Sequence, residues 1–278
     1  MQSELKLRVK EHWENETCGI RYSSAENRKL YFDEISTNRY NLEPYIRSFA
    51  NFEKAKGLTV LEIGVGAGAD FQNWCMHALH ATGVDLTEAA IALTQERLRI
   101  NNIPQHKYTL KISDAENLPF ADNSFDLVYS WGVLHHSPDT YRAFQETLRV
   151  LKPGGQIKAM IYHVPSWTGI LLYVQHALLR GKLNMSMKEV IFSHLESPGT
   201  KAYTVQEAKD FLIRSGFARI QIDTKLGPGD LLTIKPSDKY QSSVFKLIWQ
   251  FYPRWLVRLI GDRYGLNLLI DATKPASR

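Results

Sequence analysis

Cysteine is scarce: Cys18 and Cys75 are the only two in 278 residues, and neither sits at a ligand-type spacing. A disulfide framework or a zinc site is therefore not expected, and no metal is assigned. The chain also lacks a window of about 18 uninterrupted apolar residues, so no membrane-spanning helix is expected. Met1 to Trp13 is charged throughout and has no apolar signal core, which makes a reducing cytoplasm the default compartment. No internal repeat or low-complexity tract is present. Charge of one sign is missing over most of the length. Residues 1–234 carry 26 basic and 26 acidic side chains, whereas the last 44 carry eight basic and three acidic, so the whole net charge of +5 lies there. A chain that is basic everywhere, as a general nucleic-acid binder often is, is excluded, and no nucleic-acid partner is expected. What is present is a composition of 44% hydrophobic and 23% charged residues, enough to bury a full core and unlike a disordered chain.

Residues 1–56 read as a polar, helical, aromatic-rich arm. From Leu58 the pattern changes to alternating strands and helices, which implies α/β organisation with a parallel sheet wrapped by helices. Strands are expected at Leu58–Ile63, Ala81–Asp85, Tyr108–Ser113, Asp126–Trp131 and Gln156–Tyr162. Helices are expected at Asp70–His80, Thr87–Asn101 and Asp139–Leu151, the last ended by Lys152-Pro153-Gly154-Gly155. Regularity lapses over 164–203, an insertion with an apolar run at Gly169–Leu179 and then a loose segment. Thr204–Ser215 reads as an amphipathic helix, and Phe217–Thr224 and Leu266–Thr273 as two last strands. The stretch 225–264 between them is too long for a hairpin loop and must carry structure of its own. Residues 57–278 would thus form one domain with two insertions.

The segment Glu62-Ile63-Gly64-Val65-Gly66-Ala67-Gly68 follows the first strand and opens a helix. Glycines let the backbone turn sharply and approach a ligand, and the helix start offers free N–H groups to an anion. Gly64, Gly66 and Ala69 also fit the looser dinucleotide fingerprint, with Asp85 about twenty residues on. Taken alone, the glycine motif leaves two cofactors open. Asp85, at a strand end, can accept hydrogen bonds from a ribose diol or cap the next helix. Asp114, in Ser113-Asp114-Ala115-Glu116, can read an adenine amino group or serve as a plain turn residue.

Leu118-Pro119-Phe120 and the run Ser130-Trp131-Gly132-Val133-Leu134-His135-His136 complete a pattern that resembles the class I S-adenosylmethionine-dependent methyltransferases. It is most similar to the branch of ubiquinone/menaquinone-type and small-molecule methyltransferases, from about Thr59 to Met160. The resemblance implies a Rossmann-like, doubly wound sheet of seven strands with the last antiparallel. It implies S-adenosyl-L-methionine as cofactor and S-adenosyl-L-homocysteine as product. It places Glu62 and Gly64, Gly66 and Gly68 by the methionine part and ribose, Asp85 on the ribose hydroxyls and Leu86 on the adenine. Asp114, Ala115 and Glu116 form the adenine turn. Ser130, Trp131 and His135 lie near the methionine end and the substrate. Arms of this kind fold over the pocket, and Tyr40 is expected to line it.

Methyl transfer from a sulfonium is an in-line displacement that needs alignment, exclusion of water and, for an oxygen or acidic carbon nucleophile, a base. His163, His135 and His194 are the candidate bases, with His136 beside them; His163 directly follows the fifth strand. The stretch 242–260 is apolar with Lys246, Gln250, Arg254, Arg258 and Asp262 recurring every four residues, one polar stripe on a helix. It reads as a peripheral membrane contact, a homodimer face or a cover over the site. The reading is an S-adenosylmethionine-dependent methyltransferase acting on a small-molecule acceptor. The alternatives are a NAD-type oxidoreductase and a non-catalytic adenosylmethionine-binding subunit.

Overall fold

The computed structural model describes residues 2–197, 199–233 and 250–276. Three helices precede the sheet: α1 (Gln2–Asn15), α2 (Arg28–Leu42) and α3 (Tyr45–Ala50). The alternating core follows as β1 (Thr59–Ile63), α4 (Ala69–His77), β2 (His80–Asp85), α5 (Glu88–Ile100), β3 (Tyr108–Ile112), β4 (Phe125–Trp131), α6 (Thr140–Val150) and β5 (Leu151–His163). Then come α7 (Trp167–His176), α8 (Met187–His194), β6 (Ala202–Tyr203), α9 (Val205–Ser215), β7 (Ala218–Lys225), α10 (Arg254–Ile260) and β8 (Asn267–Thr273). The sheet order is β3-β2-β1-β4-β5-β8-β7, a path of seven strands, with two-residue β6 pairing β5 off that path. β8 lies between β5 and β7 and is antiparallel to both.

Strand period explains the two cores. Val60, Leu127, Tyr129 and Met160 point to one face, and Leu61, Val128, Ile157, Ile161 and Ile270 to the other. Both faces are apolar because helices cover both, as a parallel sheet requires. Each such side chain contributes roughly 1.5–3 kcal/mol of burial. The arm is part of this core: Ile46 and Phe52 sit in the first cluster, and Phe32 and Ile35 pack with Ala67 of the glycine turn.

Helix limits follow local chemistry. Thr87 and Asp139 cap α5 and α6 through their side chains. Thr204 and Glu207 form a capping box at α9, and Gly216 closes it at φ 99°. β5 differs from expectation: Lys152-Pro153-Gly154-Gly155 ends α6, yet the strand already begins at Leu151, paired with Phe125. The segment read as loose contains α8, held by a capping box of Ser186 and Glu189. Of the stretch 242–260, residues 242–249 lie outside the described residues. Where it is described, the polar stripe is broken: Arg254 donates to the carbonyls of Leu231 and Leu232, and Asp262 accepts from Lys225 and the Leu226 amide. Among the described residues no helix is long and apolar enough to cross a membrane.

Candidate active site

The order of the sheet reverses between β1 and β4, and the carboxyl ends of these strands part to leave a crevice where ligands bind in folds of this kind. A cavity lies there. Its floor is the glycine turn, with Gly64, Gly66 and Gly68 at φ 84°, 50° and 74°, the left-handed region. A Cβ on Gly64 would stand 2.1 Å from a Val133 methyl group, so glycine is required there by space as well as by conformation.

Asp85 ends β2. Its Oδ2 accepts from the Gly66 amide at 3.2 Å, and its Oδ1 from the Thr87 amide and hydroxyl at 3.0 and 2.8 Å. Burial pushes its pKa up against these bonds. The residue therefore joins the glycine turn to α5 while lining the cavity together with Leu86. Asp114 and Ala115 line the far end. Glu116 does not; its carboxylate accepts from the Asp139 amide and from Lys6.

At the near end, Glu62 is 4% exposed, and its Oε2 has no hydrogen-bond partner. Burial first, and then the neighbouring Asp70, drives its pKa well above the usual carboxylate range. Asp70 is pulled the other way. Burial would raise it, but the Arg39 guanidinium and the Tyr129 and Tyr40 hydroxyls hold it low. Arg39 Nε donates to Asp70 Oδ1 at 3.0 Å, Tyr40 to the same oxygen at 2.9 Å and Tyr129 to Oδ2 at 2.8 Å. Tyr40, expected to line the cavity, is turned away to serve this carboxylate, and its neighbour Arg39 lines it instead. Ser130 is fully buried and donates to the Ile63 carbonyl at 3.0 Å, tying β4 to β1 behind the lining.

α1 crosses the mouth of the cavity. Lys6 Nζ lies 2.5 Å from both Asp114 Oδ2 and Glu116 Oε2. The Glu14 carboxylate accepts from the Glu88 and Ala89 amides at the start of α5, where an acidic group is favoured. Val9, Trp13, Cys18 and Tyr22 complete the wall on that side.

The four candidate histidines are spread over different surroundings. His135 is fully buried and packs at a tilt against Tyr162, 4.1 Å between ring centroids, off the lining. His163 gives Nδ1 to the Gly265 carbonyl at 2.9 Å and anchors the chain entering β8. His194, at the end of α8, stacks on His176 at 3.9 Å, also off the lining. Of the four, His136 lines the cavity, against the edge of Trp13. The sequence reading missed Arg97, which is 1% exposed. Its Nε donates to the Ala67 carbonyl at 2.6 Å, and its other nitrogens donate to the Phe32 carbonyl and Ser36 hydroxyl of α2. An arginine in the last turn of a helix ordinarily reads as solvent-facing, so no local pattern marks it.

An unpartnered carboxylate oxygen at one end, an acidic strand terminus in the middle and the Asp114–Ala115 turn with Leu86 at the other suit a ligand with an ammonium group, a diol and a flat base. S-adenosylmethionine fits that order. Comparison with known proteins agrees. Residues 61–158 match the family model described as methyltransferase domain. Phosphoethanolamine N-methyltransferase 2 of Caenorhabditis elegans is 36% identical over 118 residues, which cover 42% of this chain and 26% of that protein. Arsenite methyltransferase of Halobacterium salinarum is 34% identical over 229 residues, covering 80% of this chain and 48% of that protein. The chain thus spans about a quarter to just under half the length of these curated relatives. In fold it is similar to phosphoethanolamine N-methyltransferase 2 of Haemonchus contortus in complex with phosphomonomethylethanolamine and S-adenosylhomocysteine. The TM-score is 0.60 at 18% identity, covering 96% of this chain and 60% of that one. The oxidoreductase alternative is not favoured by any of these likenesses. Residues 61–158 thus match the methyltransferase-domain model, and the sheet built around them has the fold of the solved methyltransferase it resembles.

Proposed function

We propose that the chain transfers a methyl group from S-adenosylmethionine to a small-molecule acceptor. One observation carries the reading: a single cavity runs from the Asp114 turn past Asp85 and the glycines to Trp13, Tyr22, Trp131 and His136. Cofactor and acceptor would share it, under α1. Asp85 would hold the ribose hydroxyls, Leu86, Asp114 and Ala115 the adenine, and Glu62 the amino group. S-adenosylmethionine, when bound, supplies a methyl group already activated by a positive sulfur. The protein's part is to align the acceptor, exclude water and accept a proton where the acceptor must lose one. Trp13, Tyr22 and Trp131 would orient the acceptor, and His136, which lines the same cavity, would stand beside it. The lining cations Lys6 and Arg39 are already held by carboxylates, which favours a neutral or cationic acceptor over an acid.

Calorimetry with S-adenosylhomocysteine and with NAD tests the cofactor; binding of NAD alone would overturn the reading. Tritiated methyl transfer to a panel of small alcohols, amines and acids tests the acceptor. Homocysteine-analogue binding without turnover on any of them would favour the non-catalytic alternative. We also propose that Phe251, Trp255 and Leu259, each about 70% exposed beside Arg258, rest on an anionic lipid surface. Salt-sensitive co-sedimentation with phosphatidylserine vesicles supports this; self-association without vesicle binding would replace it with a dimer face.

A further inference from the structure

Two carboxylates outside the cofactor contacts, Glu43 and Glu196, stand beside the acceptor end of the cavity. Glu196 Oε2 lies 3.5 Å from His136, a lining residue. A backbone at φ 51°, a left-handed conformation that a glutamate seldom adopts, brings it there. Of its side chain 40% is open, yet burial is the largest single influence on it, so that surface faces an enclosed space and not bulk water. Cys18 is alike, exposed but governed by burial, and it lies against the glycine turn, where its carbonyl accepts from the Ala67 amide at 3.2 Å. Glu43 follows α2 and accepts from Asn267 Nδ2 at 2.5 Å. Trp131, 8% exposed and part of the lining, turns its Nε1–H towards Glu43 and reaches no bond. Cys18, Tyr22 and Tyr162 each feel both carboxylates, so the two flank one space. The arginine facing that space, Arg39, is already held by Asp70 through two bonds.

We propose that Glu43 and Glu196 make the acceptor end selective for an amine, recognised as its cation against the aromatic walls of Trp13, Tyr22 and Trp131. The inference rests on the methyl-transfer reading and narrows its acceptor class. Carboxylates around a space shielded from water attract a cation and repel an acid more strongly than they would at a surface. Aromatic faces add to the same preference. An uncharged alcohol of the same shape receives the apolar contacts alone. The two carboxylates differ in readiness. Burial works to raise the Glu196 pKa, but His136, followed by Tyr162 and His12, outweighs it and holds that group below its usual range. At Glu43 burial prevails over Arg39 and Asn267 and raises the pKa, which a bound cation would draw down again. Glu196 is therefore the stronger of the pair before the acceptor enters.

The test uses the full chain saturated with S-adenosylhomocysteine and benzylamine as the probe, with benzyl alcohol and benzoate as its uncharged and anionic counterparts. Calorimetry at neutral pH is expected to rank benzylamine about tenfold or more above benzyl alcohol, with benzoate weakest. Glu196→Gln should reduce that preference by roughly three- to tenfold and Glu43→Gln by less, with S-adenosylhomocysteine affinity kept in both. Benzylamine that binds no better than benzyl alcohol overturns the proposal. So does a Glu196→Gln protein that loses affinity for S-adenosylmethionine relative to S-adenosylhomocysteine and keeps its preference for the amine, because the charge then serves the sulfonium. A second measurement needs no ligand. The Cys18 thiol is pushed up to about 11 by burial first, with Arg39 opposing and Glu196 and Glu43 adding to the rise. In the free chain at one mildly alkaline pH, either glutamine variant should alkylate Cys18 with iodoacetamide roughly three- to tenfold faster, Cys75 being buried. Rates equal to wild type in both variants would show that the carboxylates do not charge this space. Failure to bind S-adenosylhomocysteine at all overturns the methyl-transfer reading itself.

Discussion

Glu62 and Asp70 are two carboxylates of one site pushed in opposite directions, and the difference is what each touches. Asp70 has a guanidinium and two hydroxyls; one Glu62 oxygen has nothing. The depressed pKa of Asp70 gives stability that is present above the unfolded value of about 3.9 and lost as pH falls through the lower folded value. The raised pKa of Glu62 favours its protonated form before ligand binds, and an ammonium group favours its ionised form. S-adenosylhomocysteine binding is therefore expected to release a proton and to tighten as pH rises. Calorimetry in buffers of different ionisation enthalpy measures that proton, and Glu62→Gln should abolish the release. Arg97 gives a second prediction. Truncating it strands the Ala67 and Phe32 carbonyls, so Arg97→Ala should cost about 3 kcal/mol in urea unfolding. A loss within the error of the control would mean that water replaces the guanidinium. At this scale the sequence showed the residues of the glycine turn, Asp85 and Asp114, because strand-end motifs are local. It could not show that Tyr40 would yield the lining to Arg39, since that depends on where Asp70 stands across 30 intervening residues.

The helices were legible wherever their ends carry caps. Thr87, Asp139 and the Thr204–Glu207 box mark three starts that the pattern of polar residues already implied. α8 had the same mark in Ser186 and Glu189 and was overlooked, because only eight residues follow and their apolar period is short. The role of α1 was legible through the resemblance alone, which implies an arm folded over the pocket, and not through its own pattern. The helix is largely polar, and beside the contacts of Val9 and Trp13 its links to the domain include ion pairs and a carboxylate cap. Such contacts are screened by salt. Lys6→Glu is expected to speed S-adenosylhomocysteine dissociation by roughly three- to tenfold, as one or two partly exposed ion pairs would allow. Stopped-flow rates at low and high salt check this: the wild-type rate should rise with salt and the variant's should not. Equal rates in the two proteins would show that α1 does not gate release.

Across the molecule, the sheet order followed from strand–helix alternation and the resemblance, while the insertions remained opaque because their contacts are distant in sequence. Asp230 shows how they are fastened. Fully buried, it accepts from the Thr168 amide and hydroxyl, the Gly227 amide and the Leu266 amide at 2.6–2.9 Å. One carboxylate thereby joins the start of α7, the exit of β7 and the approach to β8. Burial raises its pKa against those bonds. Asp230→Ala leaves several buried donors unpaired and should cost about 3 kcal/mol or more, seen as a lowered Tm with the glycine turn intact. A Tm unchanged from wild type would show that the three segments hold together without it.

β8 enters the sheet between β5 and β7, although it is made after both. A growing chain can therefore pair β3, β2, β1, β4 and β5 among themselves, but β7 has no neighbour until residues 267–273 arrive. For that interval two edges, those of β5 and β7, stand with unpaired amides and carbonyls, open to any passing strand. This strand is in that sense a keystone in time: the open edges close when residues 267–273 arrive, after the strands that line the cavity have been made.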